Sequence, residues 1–244
     1  MGKQNSRGFR PLSAEQREKT IGPSLSFAAS EAYKLLRTNL SFSFPDQTGC
    51  RVIGITSSAS GEGKSTTSIN LAYTIAQENR RVLLLEADLR LPTMAKYLGV
   101  KTAPGLSNLL AGQCGGTDIL QRSGLNKNFW VATAGDIPPN PAELLSSQQM
   151  AATIETLKGF FDVIILDLPP VTVVSDAIAV SKLTDGMVLV VRQNYCSRAQ
   201  VSEAVRKLRF TGSRLLGFVM TGSDMARKGY SRSYYRANDE RHHD

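Results

Sequence analysis

Short apolar runs and longer amphipathic stretches alternate along this chain. The runs are "RVIGITS" (51–57), "RVLLLEA" (81–87), "FWVATAG" (129–135), "DVIILDLPP" (162–170), "DGMVLVVRQ" (185–193) and "RLLGFVMTG" (214–222). Rich in β-branched and aliphatic residues, they predict six strands. Between and before them lie helical patterns. "FAASEAYKLLRTNLSFSF" (27–44) carries Tyr33, Leu36 and Leu40 at helical spacing, and "KSTTSINLAYTIAQEN" (64–79) sets Ile69, Ala72, Tyr73 and Ala76 on one face. "GLSNLLAGQ" (105–113) reads as a short helix after a looser region. "PAELLSSQQMAATIETLKGFF" (141–161) is helical with a break near Ser146 or Ser147, where a hydroxyl offers a fresh N-cap. "SDAIAVSKLT" (175–184) and "SRAQVSEAVRKLRF" (197–210) complete the helices. The alternation predicts an α/β fold: a mostly parallel sheet with helices on both faces, its strands nearly continuous in hydrophobicity because both faces are buried.

Composition suits a globular chain: 244 residues, 41% hydrophobic and 20% charged, enough for a substantial core. Residues 25–222 are expected to form the domain and residues 1–24 a flexible, basic arm. "SDMARKGYSRSYYRANDERHHD" (223–244) has almost no aliphatic residues and reads as a flexible, tyrosine-rich tail. No apolar run approaches the ~20 residues that cross a bilayer, and the polar opening "MGKQNSRGFR" is not a secretory signal. Cys50, Cys114 and Cys196 are far apart with no C-x-x-C, and His242 and His243 are the only histidines. A zinc site or disulfide framework is therefore not expected, and the cytoplasm is the expected compartment. The net charge of +8 points to an anionic partner: nucleotide, nucleic acid or an acidic membrane surface.

The stretch "SSASGEGKST" (57–66) lies between a strand and a helix. Glycines there let successive N–H groups point at an anion, and the helix start adds its positive dipole end. Ser60, Gly61, Glu62, Gly63, Lys64, Ser65 and Thr66 form the nucleotide-binding loop, although Ser58 stands where the usual P-loop pattern has glycine. Lys64 is expected to reach the β- and γ-phosphates of ATP and Ser65 to ligate Mg²⁺. Asp167 ends the strand "VIILD" and is placed to complete the metal site. In "LLLEADLR", Glu86 and Asp88 end the next strand and alternation puts both on one side. One of them can help hold the metal through water and the other can accept a proton from a nucleophile. Arg90 is placed to pair with phosphate or to lock a carboxylate.

Taken with "SEAYKLLRTNLSFS", "GLSNLLAG", "AGDIPPNPAELLSS" and the tail, these pieces resemble the bacterial tyrosine kinases (BY-kinases) of capsule and exopolysaccharide synthesis over nearly the whole chain. That resemblance implies a P-loop NTPase-like fold related to cell-division and plasmid-partition ATPases. By position it makes Lys64 the phosphate lysine, and Ser65, Asp88 and Asp167 the metal ligands. Glu86 falls where the family has an aspartate thought to deprotonate the incoming tyrosine; the extra methylene is a departure that bears on phosphoryl transfer. Glu31, Lys34 and Arg37 occupy the places of a Glu-x-x-Arg-x-x-Arg helix that packs subunits into a ring, with lysine in the middle position. The resemblance also implies a membrane-embedded activator or polysaccharide co-polymerase partner that recruits the protein to the inner face of the membrane, a cognate tyrosine phosphatase, and no nucleic acid.

Tyr230, Tyr234 and Tyr235 are three of seven tyrosines, and Arg227, Lys228, Arg232 and Arg236 surround them with no acid between. A basic strand is drawn to a site holding triphosphate and carboxylates. By resemblance, the tail of one subunit enters its neighbour's site and is phosphorylated there. Two other readings remain open at this point. One is a ParA/MinD-like ATPase switch, against which Ala59 stands where such proteins carry a signature lysine. The other is a nucleotide-gated scaffold in which Glu86 has abolished catalysis.

Overall fold

Each of the six apolar runs forms a strand in the computed structural model, which describes residues 20–44 and 49–222. The strands are β1 (Arg51–Ser57), β2 (Val82–Glu86), β3 (Gln121–Arg122), β4 (Phe129–Ala132), β5 (Val163–Asp167), β6 (Gly186–Arg192) and β7 (Leu215–Thr221). They make one sheet in the order β3-β4-β2-β5-β1-β6-β7. Every pairing is parallel except the short β3 against β4. β3 was not expected from the sequence, since two residues carry no readable alternation.

The helices are α1 (Phe27–Phe42), α2 (Lys64–Ala76), α3 (Met94–Leu98), α4 (Leu106–Leu110), α5 (Pro141–Leu145), α6 (Gln148–Lys158), α7 (Asp176–Ser181) and α8 (Arg198–Phe210). The break within 141–161 falls where the hydroxyls are. Ser147 caps α6 by accepting the Met150 N–H, as Ser26 and Ser197 cap α1 and α8. α3, in the stretch read as loose, is one turn and a half and too short for periodicity to show.

Two apolar clusters lie on opposite faces of the sheet. One packs Leu106, Leu145, Ile154 and Leu208 over Leu83, Leu85 and Ile164; the other packs Leu40, Ile69, Leu71 and Ile75 over Ile53, Leu84 and Ile165. Alternate residues of one strand thus enter different clusters, which is why the strands read as unbroken apolar runs. Ile69, Ala72 and Ala76 are buried and Tyr73 is partly so, matching the expected face of α2.

The N-terminal boundary differs from the expected one. Residues 20–24 belong to the domain: Ile21 is buried, and Asn70 accepts the Gly22 N–H at 2.9 Å while donating to Thr20 O at 2.9 Å. One asparagine on α2 therefore pins this segment, a contact made 48 and 50 residues away in sequence. No helix among the described residues is long and apolar enough to cross a membrane.

Candidate active site

Register sets the site. β5 lies between β1 and β2, with Asp167 opposite Ile55 on one side and Glu86 on the other. Three strand ends therefore converge where ligands bind in open α/β sheets. β1 runs into the phosphate loop, and α2 starts at Lys64 directly after Gly63. Gly61 and Gly63 take φ of +84° and +90°, a region that residues with a Cβ rarely adopt.

Four expected residues meet here. Lys64 Nζ is 2.9 Å from Asp88 Oδ2 and 3.4 Å from Asp167 Oδ2. The Ser65 hydroxyl donates to Asp167 Oδ2 at 2.7 Å, and Ser68, one turn along α2, donates to Oδ1 at 3.0 Å. Burial pushes the Lys64 pKa down, but Asp167 and Asp88 outweigh it and hold the ammonium above its ordinary value. Burial raises the Asp167 carboxyl, against the pull of Lys64 and the Ser65 hydroxyl. Ser68 escaped the sequence reading, although its place four residues after Lys64 puts it on the same helix face.

Glu86 is placed differently from expectation. It is 1% exposed. Its Oε1 accepts the backbone N–H groups of Thr93 and Met94, and its Oε2 accepts that of Ala134 at 3.1 Å. Burial raises its pKa, opposed by these three N–H donors. The carboxylate ties the start of α3 and the end of β4 to β2, and its hydrogen bonds do not go to Lys64 or Ser65. In this arrangement both carboxylate oxygens are engaged by backbone N–H groups. Arg90 locks a carboxylate. Its Nε and Nη2 bind Asp176 at 2.8 and 3.1 Å in a fork, and Asp176 is fully buried at the start of α7.

Glu62, inside the phosphate loop, is also buried. Its Oε2 accepts the Ser58 hydroxyl at 2.8 Å and the Ala59 N–H at 2.6 Å, while Oε1 accepts the Arg192 N–H at 3.1 Å. Ser58 thus replaces the usual glycine with a donor that the loop uses internally. Thr66 is partly buried in the first turn of α2. The site fits a nucleotide phosphate: turned glycines, a helix N-terminus and a lysine lie together.

On α1, Lys34 pairs with Glu31 at 2.7 Å at the surface. Arg37 turns inward, donating to Thr74 O and pairing with Glu78, both at 2.9 Å. These three therefore do not form one outward stripe. Tyr230, Tyr234 and Tyr235 lie outside the described residues.

The chain is similar to known proteins along most of its length. Residues 50–213 match the family described as "AAA domain". The chain is 38% identical over 210 residues to tyrosine-protein kinase YwqD of Bacillus subtilis, covering 86% of this chain and 87% of that one. It is 36% identical over 191 residues to tyrosine-protein kinase CpsD of Streptococcus agalactiae, covering 78% and 82%. The solved kinase domain of Escherichia coli tyrosine kinase ETK superposes with a TM-score of 0.79 at 30% identity, covering 90% of this chain and 87% of that one. With a nucleotide-binding P-loop fold and relatives of this similarity along most of its length, the chain belongs to the bacterial tyrosine-protein kinase family.

Proposed function

We propose that this protein is an ATP- and Mg²⁺-dependent tyrosine autokinase that phosphorylates Tyr230, Tyr234 and Tyr235 of a neighbouring copy, and so regulates synthesis or export of a capsular or extracellular polysaccharide. The observation that carries the reading is the convergence of Lys64, Ser65, Asp88 and Asp167 at the mouth of a glycine-turned loop. Lys64 binds the phosphates. Ser65, Asp167 and Asp88 hold the ion, a hydroxyl and two carboxylates being the donor set Mg²⁺ takes alongside phosphate oxygens. Bound there, the ion supplies neutralisation of charge on the phosphates. Mg²⁺ takes octahedral oxygen coordination, and these three side chains leave the remaining positions to phosphate oxygens and water, so the ion arrives with the nucleotide.

Asp88 pairs with Lys64 and holds the ion, and Glu86 is occupied by backbone N–H groups, so the phenolic proton is left to water or the phosphate oxygens. Glu86 is a positioning residue: it anchors the segment that carries Asp88 and Arg90. Arg90, through Asp176, ties that segment to α7. Glu31, Lys34 and the outer face of α1 serve subunit contact in a ring. A membrane-embedded partner activates the kinase and recruits it to the membrane, and a tyrosine phosphatase reverses the reaction.

The test is incubation of the purified chain with ATP and Mg²⁺, with and without the cytosolic segment of the membrane partner. The expected result is phosphotyrosine on the tail, absent with Lys64→Met. Normal nucleotide binding with no phosphotyrosine under either condition would defeat the reading. ATP-dependent recruitment to membrane or DNA without phosphorylation would favour the ParA/MinD-like switch.

A further inference from the structure

Three consecutive carbonyls of the phosphate loop are held from outside by the ends of β6 and β7. The Tyr195 hydroxyl donates to Ser60 O at 3.0 Å, Arg192 Nη1 to Gly61 O at 3.2 Å, and Thr221 Oγ1 to Glu62 O at 2.6 Å. With these carbonyls engaged, and the Ala59 N–H held by Glu62, the N–H groups of the glycine turns that follow are left for an anion. The contact with Tyr195 is close: a Cβ at Gly61 would lie 2.9 Å from the phenolic oxygen.

Of the four described tyrosines, Tyr195 is also the best placed to be reached. Among the four described tyrosines it alone is exposed, at 43%. It sits on a tight turn, its N–H donating to Arg192 O at 3.3 Å, beside Asn194 with a φ of 56°. Arg192 and Arg198 flank it with no acid between, the same local chemistry as the tail tyrosines. The Arg192 guanidinium lies 5.3 Å from its ring centroid.

We propose that Tyr195 is a phosphorylation site of this kinase and that phosphate there weakens nucleotide binding by the subunit that carries it. The proposal rests on the autokinase reading above. Because the Tyr195 oxygen meets the outer side of its own loop, the donor is ATP held by a second copy. The phenolic oxygen bonds to the γ-phosphorus and the bond to the β–γ bridging oxygen breaks. ADP leaves, and the phenolic proton passes to water or a phosphate oxygen.

The consequence follows from the contacts. The esterified oxygen has no proton to donate to Ser60 O, and a group carrying nearly two negative charges is repelled by that carbonyl. The nearest guanidinium, Arg192, pairs with the new phosphate and withdraws from Gly61 O. Two of the three outer supports are lost in one event, and an anion stands beside a site that binds anions. Losing two hydrogen bonds of ordinary strength, the subunit should bind ATP roughly tenfold more weakly.

The experiment uses the full chain with Tyr230, Tyr234 and Tyr235 all replaced by phenylalanine, incubated with the unaltered chain, ATP and Mg²⁺ under conditions that label the unaltered tail. Phosphopeptide mass spectrometry should find phosphate on Tyr195 of the triple variant. Titration with a fluorescent ATP analogue should then give a Kd about tenfold higher, reversed by a tyrosine phosphatase. Adding Tyr195→Phe should abolish both the label and the incubation-dependent change. Labelled tail with unlabelled Tyr195 overturns the proposal and leaves the autokinase standing. Labelled Tyr195 with unchanged Kd overturns the regulatory role. No phosphotyrosine on any residue overturns both readings.

Discussion

The Lys64 ammonium lies 2.9 Å from the Asp88 carboxylate and 3.4 Å from that of Asp167, so one buried cation holds two acids together at the end of the sheet. Removing it leaves two covered carboxylates facing each other. Breaking a buried ion pair by deleting one partner costs about 3–5 kcal/mol. Lys64→Met should therefore lower stability toward urea as well as abolish phosphotransfer. The stability loss should shrink as pH falls, because the acid left in a buried site, Asp167 with its raised pKa, protonates and sheds its charge. In the unaltered protein the sign is opposite for the lysine. Its raised pKa gives stabilisation that is complete below its ordinary value and is lost only as alkaline pH passes through the raised one. Urea titrations of both proteins at several pH values check this.

Glu86 offers a test of anchoring against proton transfer. Glu86→Asp keeps the acid but withdraws it by one methylene from the N–H groups of Thr93, Met94 and Ala134. Hydrogen bonds to a charged group contribute about 1.5–3 kcal/mol each. The expected outcome is a less stable protein with faster hydrogen exchange at Met94 and Ala134, and weaker phosphorylation because Asp88 is no longer fixed. A gain in phosphorylation at unchanged stability would instead mark Glu86 as a poorly placed base.

The buried Glu62 should matter more to nucleotide affinity than its variable place in a phosphate loop suggests. Glu62→Ala removes the acceptor of the Ser58 hydroxyl and of the Ala59 and Arg192 N–H groups at once. Leaving a buried donor unpaired costs about 1–3 kcal/mol; the Ser58 hydroxyl is buried and the two N–H groups are partly so. ATP affinity should fall at least tenfold by that measure. Ser58→Ala, which removes one donor and keeps the two backbone contacts, should be much milder. Nucleotide titration of the two variants, with urea curves as control, separates the loop's geometry from its chemistry.

Much of this site can be read from local pattern. Lys64, Ser65 and Asp167 each sit at a strand end or helix start, and a parallel sheet brings those ends together whatever the loops do. The break before Ser147 was legible for the same reason, since a hydroxyl at a helix start acts within three residues. What escaped depends on contacts distant in sequence. The Asn70 clasp on residues 20–22 spans up to 50 residues, the Arg90–Asp176 fork 86 and the Tyr195 contact to Ser60 135. Side-chain alternation placed Glu86 and Asp88 on one side of β2, but β2 ends at Glu86 and Asp88 lies in the following loop. Period-two reasoning does not extend past a strand's last residue.

The helix α1 separates contacts within a subunit from contacts between subunits. Arg37 is joined to its own subunit through Thr74 O and Glu78, with a side chain 19% exposed. Its replacement by alanine should destabilise even a dilute, monomeric sample by about 1–2 kcal/mol, two hydrogen bonds of ordinary strength being lost. Glu31 and Lys34 pair in solvent with side chains 48% and 45% exposed, and such pairs add at most about 1 kcal/mol. Replacing both by alanine should leave dilute stability nearly unchanged. Leu35 and Phe42 are exposed on the same helix, uncovered by any of the described residues. If α1 packs subunits into a ring, the Glu31/Lys34 double variant and Leu35→Glu should dissociate the assembly in sedimentation velocity at concentrations where the unaltered chain associates. Arg37→Ala should act on both measurements. Full assembly of the double variant and of Leu35→Glu would remove α1 from the subunit interface, leaving Arg37 as a brace between α1 and α2 alone.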